Sequence, residues 1–211
     1  MLTRKDFNKL ARFALTSENP GYKPNVIESP DGDGVWDTQK RYGHVAPKYF
    51  RRTGIGEREL EAQRIYNFAM RRAMRVCQDM NLPPEFYPGP DSTLRVLEYP
   101  PGATTAPHCD FDLFTLCLYR NDMDAFRYLD GQDDPLLKRL RVPYPGIHFG
   151  EILSEVLGVT PTRHEVVATE GVQHSAVFFV IPAHQTRLPS GITVGQWLDE
   201  RKARSRKEVA S

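Results

Sequence analysis

Any fold this chain adopts has to bring three distant side chains together. His108-Cys109-Asp110 is followed, fifty-four residues after the Asp, by His164. Two neutral imidazoles and one carboxylate can hold a divalent ion on one face and leave the opposite positions open. That donor set suits non-haem Fe(II). On an extended strand, residues two apart point to the same side, so His108 and Asp110 can grip one ion together. The third donor then needs a strand that folds back beside them. The triplet alone is weak, because 6 His and 14 Asp in 211 residues give about 0.4 His-x-Asp triplets by chance.

The surroundings carry more. Residues 94–101, LRVLEYPP, predict a strand that stops at a double proline. A Gly/Thr-rich turn is expected over 102–106, then a second strand-like run over 108–119, with the metal pair at its start.

LRVLEYPP, HCDFDLFTLCLY, PYPGIHFGEILSEVL, TRHEVV and QHSAVFFVIP occur in that order. In order and spacing the set resembles the Fe(II)/2-oxoglutarate dioxygenase superfamily, nearest to its isopenicillin N synthase-like branch, over residues 60–200. The resemblance implies a mainly β fold with flanking helices around a double-stranded β-helix, or jelly roll. It implies His108, Asp110 and His164 as iron ligands, and Tyr99 lining the cofactor or substrate pocket. The implied reaction uses O2 and 2-oxoglutarate to hydroxylate or otherwise oxidise a small molecule through a ferryl intermediate. Asp110 argues against halogenation, since related halogenases replace that carboxylate with a small residue.

One departure matters. The family usually places Arg-x-Ser nine residues beyond the distal His, where it binds a carboxylate. This chain has Gln173-His174-Ser175 there. An amide carries no charge, and charge-assisted pairing is the stronger kind. Arg95 is the candidate replacement, four residues before Tyr99 and so on the same strand face. Two further readings stay open: an Fe(II)/O2 oxidase that needs no 2-oxoglutarate, and a non-catalytic binding protein on this fold.

The formal charge of +1 and hydrophobic content of 40% call for neither disorder nor a nucleic-acid surface. No apolar run of about 18 residues and no signal-peptide pattern is present, so a cytoplasmic setting is expected. Cys77, Cys109 and Cys117 lack disulfide-framework or metal spacing, and Cys109 is expected to be buried. The chain is short for the branch it resembles, which leaves an open site or one completed by a partner chain.

A single domain is expected, with residues 1–56 a helix-and-loop cover, 57–92 a long supporting helix, 93–192 the jelly-roll core, and 193–211 a helix with a basic tail. Helical spacing appears over 3–14, 57–80 and 193–203, with Leu60 and Ile65 expected on the buried face of the second. Residues 17–56 predict a long loop, in which Asp31, Asp33 and Asp37 only superficially resemble a calcium loop. Strands are expected over 93–99, 113–119, 146–152, 163–168 and 174–182, and helix or loop over 122–141. Basic residues 201–207 predict a frayed, solvated end. His174 is a rival distal ligand, but it should face away from Gln173 and Ser175. His148 is expected to be a hydrogen-bonded core residue. His44 and His184 should lie in loops, and Asp112 at the barrel mouth.

Overall fold

The structure, a computed structural model, describes residues 1–26, 40–51, 55–140, 146–167 and 169–208. Its helices are α1 (Arg4–Ala14), α2 (Glu57–Asp79), α3 (Pro135–Arg139), α4 (Glu151–Leu157) and α5 (Val194–Glu208). Its strands are β1 (Tyr22–Val26), β2 (Lys40–Val45), β3 (Thr93–Tyr99), β4 (Thr105–His108), β5 (Phe114–Arg120), β6 (Phe126–Tyr128), β7 (Ile147–Phe149), β8 (His164–Val166) and β9 (Gln173–Val180). The strands form two antiparallel sheets, ordered β1-β2-β3-β9-β5-β7 and β4-β8-β6. From β3 to β9 the chain alternates between the sheets at every strand. That winding is the jelly roll the sequence led us to expect.

The large sheet buries both faces. Leu94, Val96, Leu116, Leu118, Ala176, Phe178 and Val180 pack with α1 and α2. The alternating residues Leu97, Tyr99 and Val177 form a second cluster with Tyr42 and Ala103. Successive side chains of β3 and β9 point to opposite faces, so this two-sided packing leaves runs of consecutive buried residues on both strands. Helix α1 begins at a capping box, in which Thr3 and Asp6 each bond the other's backbone N–H. It buries Phe7, Leu10, Phe13 and Ala14, each large side chain contributing roughly 2 kcal/mol. β2 crosses α1 at Gly43, where a Cβ would overlap the Ala14 carbonyl.

Several expectations need correction. Residues 17–56 are not all loop, because β1 and β2 extend the large sheet, and His44 lies on β2. Asp31, Asp33 and Asp37 lie outside the described residues. On α2, Leu60 is exposed while Ala62, Tyr66 and Ala69 are buried with Ile65. The run 146–152 is split by Gly150 into β7 and α4. The charged segment 122–141 contains β6, which pairs with β8. Arg201 is not frayed but ion-paired with Glu151 at 2.9 Å, over the Phe111 ring. Among the described residues no helix is long and apolar enough to cross a membrane.

Candidate metal centre

β4 ends on His108 and β8 begins on His164, and the two are direct cross-strand partners. Their rings lie 4.4 Å apart, centroid to centroid. Asp110 does not continue β4, as strand alternation suggested. It sits in the bend that carries the chain from the small sheet to β5. Its Oδ1 lies 3.8 Å from His108 Nε2. One donor atom from each of His108, Asp110 and His164 falls within 4.8 Å of the others.

The imidazoles are held as ligands should be. His108 Nδ1 donates to the Ala106 carbonyl at 2.8 Å, and His164 Nδ1 donates to the Thr162 carbonyl at 3.0 Å. Those bonds select the Nδ1–H tautomer and leave both Nε2 lone pairs for a metal. Burial, and secondarily the neighbouring His108, pushes the His164 pKa down to about 4. It is therefore neutral at pH 7, with no proton to displace on metal binding. The donor set fits a divalent ion.

Asp110 is oriented by Thr115, whose hydroxyl donates to Asp110 Oδ2 at 2.5 Å. The same hydroxyl lies 2.8 Å from Asp112 Oδ2. A hydroxyl has one proton, so one of these contacts must be donated to it. Asp112 is buried, not at the barrel mouth. Burial, then the charge of Asp110, pushes its carboxyl well above the usual range. A protonated Asp112 donating from Oδ2 to Thr115, which donates to Asp110, gives each of these contacts a proton, while Asp112 Oδ1 is buried without a partner. The bend is fixed from behind by α4. The carbonyls of Leu113, Asp110 and Asp112 accept from the N–H groups of Gly150, Glu151 and Ile152 at 2.9, 2.9 and 3.1 Å, pairing donors a helix start leaves open. Gly150 is required there, since a Cβ would overlap Asp112.

His148 lies opposite Thr115 across β5 and β7. It is buried and stacks on Phe126 at 4.9 Å, but neither ring nitrogen has a hydrogen-bond partner, contrary to expectation. Burial pushes its pKa well below the ordinary histidine value. His174 points away from Gln173 and Ser175 and bonds Glu98 Oε2 at 3.0 Å. Cys109 is half-buried rather than buried, while Cys77 and Cys117 are buried, and none of the three is in a disulfide.

A cleft beside the triad is lined by Tyr99, Arg120, Phe126, Val166, Gln173 and Ser175, among others. Gln173 Nε2 donates to the Val167 carbonyl at 2.9 Å and to Thr169 Oγ1 at 3.0 Å. Both amide protons thus tie the β8–β9 connection, leaving Gln173 an acceptor towards the cleft. The Tyr99 hydroxyl accepts from Thr105 Oγ1 at 3.2 Å. Arg95 shares the Tyr99 face, but its guanidinium lies between the Tyr42 and Phe179 rings, 4.8 Å from each. It is not among the cleft-lining residues. Sequence reasoning missed Thr115, Phe126 and Arg120. Thr115, five residues beyond Asp110, was a findable signal, since it is a hydroxyl residue within the apolar run of β5.

No protein-family profile matches the chain, and no curated protein matches it significantly. Solved structures do. A full-length oxygenase of Neurospora crassa, in complex with α-KG, superposes at a TM-score of 0.60 and 15% identity, over 94% of this chain and 82% of that one. JOX2 in complex with 2OG, Fe and JA gives 0.57 and 14%, over 94% and 72%. The Arabidopsis thaliana dioxygenase for auxin oxidation 1, bound to 2-oxoglutarate, gives 0.53 and 14%, over 85% and 77%. The fold is that of the 2-oxoglutarate oxygenases. At these identities the likeness extends to architecture, and activity has to be argued from the site.

Proposed function

We propose that this protein is an Fe(II)-dependent oxygenase that uses O2 and 2-oxoglutarate to oxidise a small molecule. The observation that carries this reading is the set His108, Asp110 and His164, each donor fixed by its own hydrogen bond. Fe(II) held there supplies O2 activation coupled to oxidative decarboxylation of a 2-oxo acid.

The chain's own residues do the positioning. The Ala106 and Thr162 carbonyls orient the two imidazoles with Nε2 unprotonated, and Thr115 holds Asp110 Oδ2, so that Oδ1 would be available to a metal. Two histidines and one carboxylate would hold such an ion while leaving further positions open to other ligands. Tyr99 and Ser175 offer hydroxyls from the cleft beside the triad. Phe126, stacked on His164 at 4.9 Å, presents an apolar wall that excludes water. Three cysteines as unbridged thiols fit a reducing, cytoplasmic setting.

Gln173 favours a second reading, an Fe(II)/O2 oxidase without 2-oxoglutarate, because its amide protons are committed to Val167 and Thr169. Anaerobic loading with Fe(II), followed by O2 with and without 2-oxoglutarate, separates the two. The expected result is O2 uptake that depends on 2-oxoglutarate and releases succinate. Uptake that proceeds equally without it moves the assignment to the oxidase.

A further inference from the structure

We infer that Arg120 is the cation that receives the distal carboxylate of the 2-oxo acid, an assignment that rests on the function proposed above. The expected arginine of β9 is absent, and Gln173 in its place has no free donor. A dicarboxylate in the cleft therefore needs a positive group from another strand.

Strand β5 provides one through an irregularity. Thr115, Leu116 and Cys117 pair in regular register with Phe179, Phe178 and Val177 of β9. The register then shifts, so that Tyr119 opposes Ala176 and Arg120 opposes Ser175. Leu118 is the extra residue of a β-bulge. Strict alternation from Thr115 would place Arg120 on the face of Leu116 and Leu118, against the helices. The bulge instead leaves Tyr119 on that face, stacked on Phe7 of α1 at 4.3 Å, and turns Arg120 to the cleft. Re-aiming one side chain next to a site is a recurrent use of bulges.

The guanidinium is placed rather than loose. Its Cζ lies 3.7 Å from the Phe126 ring centroid, a cation–π contact that holds it without using its N–H groups. Its Nη1 is buried and has no hydrogen-bond partner. A buried donor left unpaired is costly, and a carboxylate in the cleft would recover that cost. Ser175, directly across from Arg120, and Tyr99 line the same cleft. Among the described lining residues Arg120 is the permanent cation. Guanidinium, serine hydroxyl and tyrosine hydroxyl are a fitting set for a carboxylate.

The test compares two ligands on the metal-loaded protein without O2: 2-oxoglutarate, and 2-oxopentanoate, which lacks the distal carboxylate. Binding is read by calorimetry with Mn(II) bound, alongside metal stoichiometry. Wild type should prefer 2-oxoglutarate by about 10–100-fold, the range of a charge-assisted hydrogen bond. Arg120→Gln should lose that preference while keeping its metal and its affinity for 2-oxopentanoate. Arg120→Lys should retain part of it, and Arg95→Met all of it. A preference that survives in Arg120→Gln overturns the assignment while leaving the proposed function standing. If metal-loaded wild type binds neither 2-oxo acid, the proposed function fails as well.

Discussion

The hydroxyl of Thr115 stands between two carboxylates, 2.5 Å from Asp110 Oδ2 and 2.8 Å from Asp112 Oδ2. One of those carboxylates belongs to the proposed ligand set, and the other is buried behind it, its pKa raised by burial and by the charge of Asp110. The geometry ties metal affinity to a residue that never touches the metal.

Thr115→Val, nearly the same shape without the hydroxyl, should therefore weaken divalent metal binding by about 10–100-fold, the usual cost of losing a partner behind a ligand. Thr115→Ser should restore most of it. Metal titration of the purified variants reads the effect directly.

Gly150→Ala should damage the same bend from the other side. The new Cβ overlaps Asp112, so the 109–113 segment must move and carry Asp110 with it. A loss of about 2–4 kcal/mol in unfolding free energy is expected, together with weaker metal binding. Gly158→Ala meets no atom within 4 Å and carries only the strain of φ +69 at a helix end. It should cost about 1 kcal/mol and leave metal binding intact.

Apo stability should depend on pH through His164 and His148. Both have folded pKa values below the unfolded value of about 6.5. Below that value the unfolded chain takes up protons that the folded chain refuses. Their contribution is thus fully present above pH 6.5 and is lost as pH falls towards about 4, where His164 itself titrates. Asp112 acts in the opposite sense. Its raised pKa makes the folded state bind a proton the unfolded state lacks, so its penalty is relieved as pH falls towards the unfolded carboxylate value. Urea midpoints of the apo protein between pH 4 and 8 should show a steeper acid loss in Asp112→Asn than in wild type. Parallel curves would contradict the protonated Asp112.

The fold and the clustering of His108, Asp110 and His164 were legible for different reasons. β3 and β9 are short, apolar, β-rich runs buried on both faces, so their strand character shows in the sequence. His108 and Asp110 were legible because an imidazole at a strand end, followed two residues later by Asp, is a chemical signature, and His164 was legible through the family resemblance. The cross-strand pairing of His108 and His164 supplied the geometry. Asp112 was misplaced because strand alternation was carried through a bend, where backbone bonds to α4 rather than a ladder set the direction of side chains. Arg120 was invisible because one extra residue in β5 reverses the face of everything after it. β1 and β2 were hidden because Pro, Gly and charged residues dominate the segment around them, and pairing onto β3 outweighs their weak strand propensity.

Every role proposed for this site depends on one metal held by His108, Asp110 and His164. Anaerobic Fe(II) titration followed by 2-oxoglutarate, monitored through the visible charge-transfer absorption of an iron-chelated 2-oxo acid, tests it directly. Wild type should bind one equivalent of Fe(II) and develop the absorption. Asp110→Ala, although folded to a melting temperature close to that of apo wild type, should do neither. Stoichiometric Fe(II) and an undiminished absorption in Asp110→Ala, or no metal binding by wild type, would contradict the assignment.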